Sequence, residues 1–315
     1  ELFQYNNLMF LTAGVLAGRL MNSSWEDAIR RLVFNPLGMA GSNFSVAESQ
    51  RSGDFSHGYR VEKDTIRSMP FRNIDLVGPA GSINSNVDDM LHWVSMHLAG
   101  GVVQGKPLLT RATLTDMYAP HMSIGGSPGD RDLGAQNYGL GWFLVSYRGQ
   151  FVAHHGGNID GFSAMVALLP QRNIGMVILS NQNSSALPGL LRNHAMDRLL
   201  ALSPRDWNSE ALANARRGRA VAEAAEQKKE SLRVPGTRPS HAPAAYAAEY
   251  AHPGYGVLSI APQGDRLVAT YNAISTTLEH WHYDVFNGLR NPADPTFADM
   301  KYNFRGNLKG DIESV

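Results

Sequence analysis

Apolar residues first recur at helical spacing near the start of the chain. Leu8, Leu11, Val15 and Leu16, with Ala and Gly between them, predict a helix with an apolar face. Asn22-Ser23-Ser24-Trp25-Glu26-Asp27 reads as a second helix start, because short polar side chains cap free backbone N–H groups. Ala28, Ile29, Leu32, Val33 and Phe34 continue that helix to a Pro/Gly stop at Asn35-Pro36-Leu37-Gly38-Met39. Residues 41–80 are punctuated by Gly and Pro and predict loops and short strands. A helix over Val87–Leu98 is favoured by Asp88 and Asp89 in its first turn and closed by Gly100-Gly101. A shorter helix covers Leu114 to Tyr118.

From about residue 138 the pattern changes to strands. Tyr138–Tyr147, Phe151–His155, Phe162–Leu169 and Ile174–Ser180 are the runs, with a hairpin signal at Pro170-Gln171-Arg172-Asn173. A helix over Leu187–Leu202 would back three or four antiparallel strands. Ala213–Leu232 is rich in Ala, Glu, Lys and Arg and reads as a solvated helix broken by Pro235, Gly236, Pro239 and Pro243. Short strand-like runs fill the remainder. The expected organisation is a mixed α+β domain over 1–205, a helical and Pro-rich linker over 206–240, and a small all-β domain over 241–315.

Composition narrows the chemistry. Lys+Arg and Asp+Glu are both 28, so nothing electrostatic favours nucleic acid or an anionic membrane. There is no cysteine, which excludes disulfides, thiolate catalysis and Cys-based zinc sites. No apolar run approaches the about 20 residues of a membrane-spanning helix. The opening residues are polar and aromatic and do not form an export signal. His280, His282 and Asp284 would share one face of a strand and invite a metal, but packing accounts for such a run more simply. Asn22-Ser23-Ser24 and Asn183-Ser184-Ser185 match glycosylation acceptors at the level of chance. The arginines of 216–219 are offset by Glu223 and Glu226.

Tyr5-Asn6-Asn7 and His155-Gly156-Gly157 are the two short motifs with chemical content. Between them stand Asn35-Pro36-Leu37-Gly38-Met39, Gly78-Pro79-Ala80-Gly81-Ser82-Ile83-Asn84-Ser85 and Tyr138-Gly139-Leu140-Gly141-Trp142. Gly161-Phe162-Ser163 follows. In this order, over roughly residues 1–202, the chain resembles the penicillin-binding-protein and class C β-lactamase-like serine hydrolases. The His in the third motif resembles that family's esterase-like branch. The 241–315 segment resembles a small β domain that often follows the hydrolase domain.

The resemblance implies a penicillin-recognising serine hydrolase fold, an antiparallel sheet flanked by helices with a helical subdomain, and acyl transfer without metal or cofactor. It implies that Tyr5 moves a proton and Asn7 positions substrate. It implies that His155 hydrogen-bonds substrate or transition state, that the Asn158 N–H forms half of an oxyanion hole, and that Gly156 and Gly157 let the substrate lie close to the strand. A neutral imidazole attracts a β-lactam carboxylate less than an ammonium does, which disfavours penicillinase activity. The family's nucleophile motif, S-x-x-K, is absent: no serine of the chain has Lys three positions later.

The expectation is therefore an N-terminally incomplete domain whose nucleophile belongs to a segment upstream of Glu1. That segment is one possible partner, beside a small-molecule or peptide substrate. Two rival readings stand beside it. One is a binding protein that has lost the nucleophile; the other is a two-chain enzyme cleaved before Glu1. The compartment is not determined, although the resemblance points to export or the periplasm.

Overall fold

A computed structural model describes residues 2–62, 64–125, 132–291 and 294–315. The chain divides into two units, Glu1–Ala211 and Leu212–Val315.

The first unit is built on a six-stranded antiparallel sheet whose spatial order follows the chain. Its strands are β1 (Met122–Gly125), β2 (Leu133–Tyr138), β3 (Phe143–Tyr147), β4 (Gln150–Ile159), β5 (Phe162–Leu169) and β6 (Ile174–Ser180). The expected run over 138–147 is thus two strands, interrupted at Gly139–Trp142, where Gly141 adopts φ +80°. The sheet also exceeds the expected three or four strands. β1 and β2 are short, and bulges interrupt the β1–β2 and β2–β3 pairings.

Val152, Ala153, Ala167 and Leu168, on the central strands, are fully buried. Helix α2 (Val87–Leu98), capped by the Asn86 side chain on the Asp89 N–H at 2.9 Å, packs on one face. At Gly175 a Cβ would meet Val94 Cγ1 at 2.3 Å, so the helix sits directly on the β6 backbone there. Helix α3 (Leu187–Leu199) also packs against β5 and β6.

Helix α1 (Asn7–Leu20) is capped by Asn6, whose Oδ1 accepts from the Leu8 and Met9 N–H groups at 2.8 and 3.2 Å. Its inward face is not the predicted one. Gly14 and Gly18 are buried, whereas Leu8 is 59% and Leu16 55% exposed. The reason is close approach. A Cβ on Gly14 would meet Pro79 Cβ at 2.3 Å, and one on Gly18 the Trp25 backbone nitrogen at 2.8 Å.

The next helix starts at its Ser24 cap, where Oγ accepts from Asp27 N–H at 3.0 Å. It widens into a π-turn at Arg30–Phe34 and ends over Asn35–Leu37 with Gly38 at φ +70°. Pro36 therefore lies inside the last turn. The 41–80 stretch contains a helix, Val46–Arg51, and a hairpin, Gly58–Glu62 with Thr65–Met69. Tyr59 exchanges backbone hydrogen bonds with Asn181 and Asn183, which hooks that hairpin to the chain leaving β6.

Helix α4 (Trp207–Glu230) begins earlier than its composition suggested, because Trp207 is buried against Tyr147, Val152 and Met196 in the first unit. The second unit contains a six-stranded antiparallel meander. Its strands are β7 (Ala248–His252), β8 (Gly256–Gln263), β9 (Arg266–Tyr271), β10 (Ile274–His282), β11 (Val285–Gly288) and β12 (Lys301–Asn303). Tyr246, Ile260, Leu267, Leu278, Phe286 and Phe304 make its core.

Candidate active site

Tyr5, at the start of the first unit, and His155, 150 residues later on β4, meet over the start of β3. Their ring centroids are 5.9 Å apart. Phe3, Tyr138 and Phe143 complete the aromatic group, with Phe3 5.4 Å from Tyr138 and Phe143 5.2 Å from His155. The Tyr138 hydroxyl lies 3.1 Å from His155 Nε2, and the Tyr138 and Tyr5 rings meet edge-on with centroids 6.1 Å apart. His155 Nδ1 lies 2.6 Å from the Gly156 carbonyl oxygen. A carbonyl only accepts, so this bond places the imidazole proton on Nδ1 and leaves Nε2 as an acceptor.

Burial pushes the Tyr5 phenol above its ordinary range, and the neighbouring Tyr138 hydroxyl partly offsets this. Burial also raises Tyr138, and neighbouring Tyr5 adds to the rise. Burial lowers His155, partly opposed by its bond to Gly156, so the ring is neutral at pH 7.

The position of Asn158 follows from turn geometry. Asp160 and Gly161, at φ +21° and +97°, form a two-residue turn closed by Ile159 and Phe162. In such a hairpin the closing pair exchanges both hydrogen bonds, and alternate residues do so along the ladder. Residues 159, 157, 155 and 153 therefore bond to β5. Gly156 and Asn158 turn their N–H and C=O groups toward β3, whose pairing with β4 stops at Phe143 and His154. Both residues are exposed, so the Asn158 N–H faces an open sheet edge.

The Asn158 side chain points to other work. Its Oδ1 accepts from Ser163 Oγ at 2.8 Å and Ser184 N–H at 2.6 Å. Gly161 N–H donates to Asn183 Oδ1 at 3.1 Å, and Arg72 Nε meets Asp160 Oδ2 at 2.8 Å. The 41–80 segment thus reaches the β4–β5 turn. In the loop between β1 and β2, residues 126–131 lie outside the described residues.

Contacts join Tyr5 and His155, and Gly156 and Asn158 continue the same strand. Asn7 stands apart. It is the exposed first residue of α1, and no described residue hydrogen-bonds its side chain. Tyr138 entered the sequence reading only as part of a Tyr-Gly-Leu-Gly-Trp motif. Its partners are fixed by strand pairing and by the path of residues 3–5, and no local pattern announces them.

His154 stacks on Phe143 at 5.7 Å, while its buried Nδ1 has no partner. In the second unit a bulge separates His280 from His282, and Asp284 lies in the turn beyond β10, which breaks the expected single face. Asp284 instead accepts from Ser240 and Tyr246, and His282 Nδ1 from the Val234 N–H at 3.1 Å. Among the described residues no three His, Asp or Glu side chains are grouped to hold a metal. A cavity of about 240 Å³ in this unit is lined by charged groups and Trp281. Within it Lys229 pairs with Glu226 and Arg233 with Glu230, and Lys301 Nζ lies 3.4 Å from the Trp281 ring centroid and 2.6 Å from Asn287 Oδ1.

The meander with helices on it, and the open edge beside His155, define a penicillin-recognising hydrolase fold. The Beta-lactamase family model matches residues 1–201, more than half of the chain, and the protein belongs to that family. A domain of unknown function, DUF3471, matches residues 232–315.

Among curated proteins, the unguisins hydrolase ungD' of Aspergillus campestris is 28% identical over 273 residues, 82% of this chain and 49% of that protein. Protein flp of Staphylococcus aureus (strain N315) is 25% identical over 194 residues, 61% of this chain and 36% of that protein. The chain thus spans about half or less of the length of these relatives. A solved octameric penicillin-binding protein homologue from Pyrococcus abyssi shares the fold with a TM-score of 0.58 and 18% identity, over 98% of this chain and 62% of that one. Among the described residues no helix is long and apolar enough to cross a membrane.

Proposed function

We propose that the protein hydrolyses an ester or amide through an acyl-enzyme. Tyr5 transfers the nucleophile's proton, and Asn7 positions a substrate amide. His155 hydrogen-bonds the reacting group. The Asn158 N–H supplies one oxyanion donor, while Gly156 and Gly157 admit the substrate along β4. The observation that carries this reading is the Asn158 N–H turned to an open edge, on the strand whose His155 ring lies 5.9 Å from that of Tyr5. The neutral His155 puts no cation at the third motif, so uncharged esters and amides fit better than anionic β-lactams.

The reading requires a Ser and a Lys one helical turn apart from outside these 315 residues. The absence of S-x-x-K supports a second reading, ligand binding without turnover. A fluorophosphonate probe and a p-nitrophenyl ester separate the two. The 315-residue polypeptide should neither label nor turn over, and the gene product including native upstream sequence should do both. Stoichiometric labelling of the 315-residue chain, or an upstream sequence without S-x-x-K, overturns the hydrolase mechanism as stated.

A further inference from the structure

We propose that Ile159 sets substrate choice: it ends a bare apolar shelf beside the Asn158 N–H, and the protein selects esters and amides whose acyl group is apolar and longer than acetyl. This substrate class rests on the hydrolase reading, whereas the shelf itself is a feature of the fold. Cross-strand partners share a sheet face, and alternate residues of a strand return to it. Gly157 pairs with Ala164 and Ile159 with Phe162, so these four stand on one face. Asn158 and its partner Ser163 stand on the other, where Ser163 and Ser184 hold the Asn158 side chain.

The first face is the one α2 covers farther along the sheet, where Ala153 and Leu168 pack with Val94. At exposed Gly157 that cover is gone. Among the described residues, a Cβ there would meet only Ala164 Cβ, at 3.9 Å. Glycine and alanine thus make a low floor, and Ile159 stands at its end, 40% exposed. Behind Ile159 the wall is aromatic, since Phe162 stacks on Phe71 with centroids 6.0 Å apart. The 78–85 segment flanks the same end, because a Cβ on Gly81 would meet Ile159 Cδ1 at 3.8 Å. Asp160, next in the chain, has its carboxylate 2.8 Å from Arg72 Nε and brings no unpaired charge.

Position gives the shelf its use. The Asn158 N–H points in the plane of the sheet toward the open edge, and strand side chains stand roughly perpendicular to that plane. A substrate carbonyl oxygen bonded to this N–H leaves its acyl chain free to turn onto the Gly157–Ala164 floor. Ile159 is one residue on, about 3.3 Å along the strand. An acetyl group stops short of it, whereas a hexanoyl chain reaches it. Full burial of a methylene would raise kcat/KM about fourfold, and a half-open shelf should give about twofold.

Ile159→Ala and Ile159→Asp test the proposal in the gene product that carries the Ser–Lys pair. Along p-nitrophenyl acetate, butyrate and hexanoate, kcat/KM should rise about twofold per methylene. The rise should come chiefly through KM, because apolar contact is made alike in ground and transition states. The hexanoate-to-acetate ratio, about 10–20 in the wild-type enzyme, should fall to about 3 with Ala and about 1 with Asp. Mono-p-nitrophenyl adipate, as long as hexanoate but ending in a carboxylate, should gain nothing over acetate.

A wild-type ratio near one, or a ratio that both variants leave unchanged, overturns the role of Ile159 and leaves the hydrolase reading standing. A complete gene product that turns over no ester sinks the hydrolase reading instead. The shelf is then read by binding in the 315-residue chain. Hexanamide, and not acetamide, should shift the Ile159 δ1-methyl NMR signal saturably. No saturable shift overturns the shelf as well.

Discussion

Asp197 on α3 accepts the Tyr147 hydroxyl at 2.5 Å while only 2% exposed. Its second oxygen accepts from Trp207 Nε1 at 2.9 Å, and Arg148 NH1 lies 3.1 Å from the first. One carboxylate therefore ties the β3–β4 turn, α3 and the first residue of α4 together behind the sheet that carries His155. Replacing Asp197 by Ala leaves a buried phenol and a buried indole N–H without this acceptor, while the partly exposed Arg148 keeps Asp132 and the Ser203 carbonyl. The expected loss is about 2–4 kcal/mol. Tyr147→Phe should cost only about 1 kcal/mol, because it removes one donor and leaves no buried charge unpaired. Urea unfolding of both variants, monitored by tryptophan fluorescence, checks the ratio.

Acid should weaken the first unit well above the carboxylate range. Burial holds His97 at about 4, and burial, with smaller contributions from Arg192 and His155, holds His154 at about 3. Buried His97 Nε2 and His154 Nδ1 have no partner that would welcome a proton. The unfolded chain protonates near 6.5, so between pH 6.5 and 4 it binds more protons than the fold. The stabilisation is full above pH 6.5 and is lost as pH falls toward 4. For the two residues together the loss is about 3 kcal/mol between pH 6.5 and 5. His97→Phe should roughly halve that dependence if it folds, and His154→Phe gives the same test at the second site. A stability flat over this range would refute the assignment.

The glycines of α1 make a sharper test of packing than its leucines. Gly14→Ala puts a methyl group against the Pro79 ring, and Gly18→Ala puts one against the Trp25 backbone. Each should destabilise by about 1–3 kcal/mol despite the better helix propensity of alanine. Leu16→Ala, on the 55% exposed face, should change the stability of this 315-residue chain by less than about 1 kcal/mol. Thermal melts of the three variants decide whether the small-residue face or the apolar face faces the fold.

The same contrast shows what the sequence could and could not reveal. Helix α2 is legible at both ends because its signals are local: acidic residues in the first turn and paired glycines after the last. The third motif is legible because Gly156 and Gly157 stand out on an apolar strand. β1 and β2 are hard to see, since Met122-Ser-Ile-Gly and Leu133-Gly-Ala-Gln-Asn-Tyr lack sustained alternation and their pairing is bulged. The inward face of α1 is hidden in the sequence because its apolar residues mark the more exposed side, while close approach selects Gly14 and Gly18. The contacts of Tyr138 leave no local signal, because they are made with a partner 17 residues away and with rings at the start of the chain.

The two halves of Asn158 can be separated by substitution. Asn158→Ala keeps the backbone N–H and removes Oδ1 from Ser163 and Ser184, so it should cost about 1–2 kcal/mol of stability and leave kcat within a few-fold. Asn158→Pro removes the N–H itself. That N–H takes no part in the β4–β5 ladder, so proline deletes no sheet hydrogen bond there. In the gene product carrying the Ser–Lys pair, its kcat should fall by about 10²–10³-fold, as for loss of an oxyanion donor elsewhere. KM should change little, because the bond strengthens as charge develops on the substrate oxygen and is weak before that. A folded Asn158→Pro enzyme with undiminished kcat would remove Asn158 from the mechanism. An Ala variant as impaired as the Pro variant would instead locate the effect in the Ser163–Ser184 contacts of its side chain.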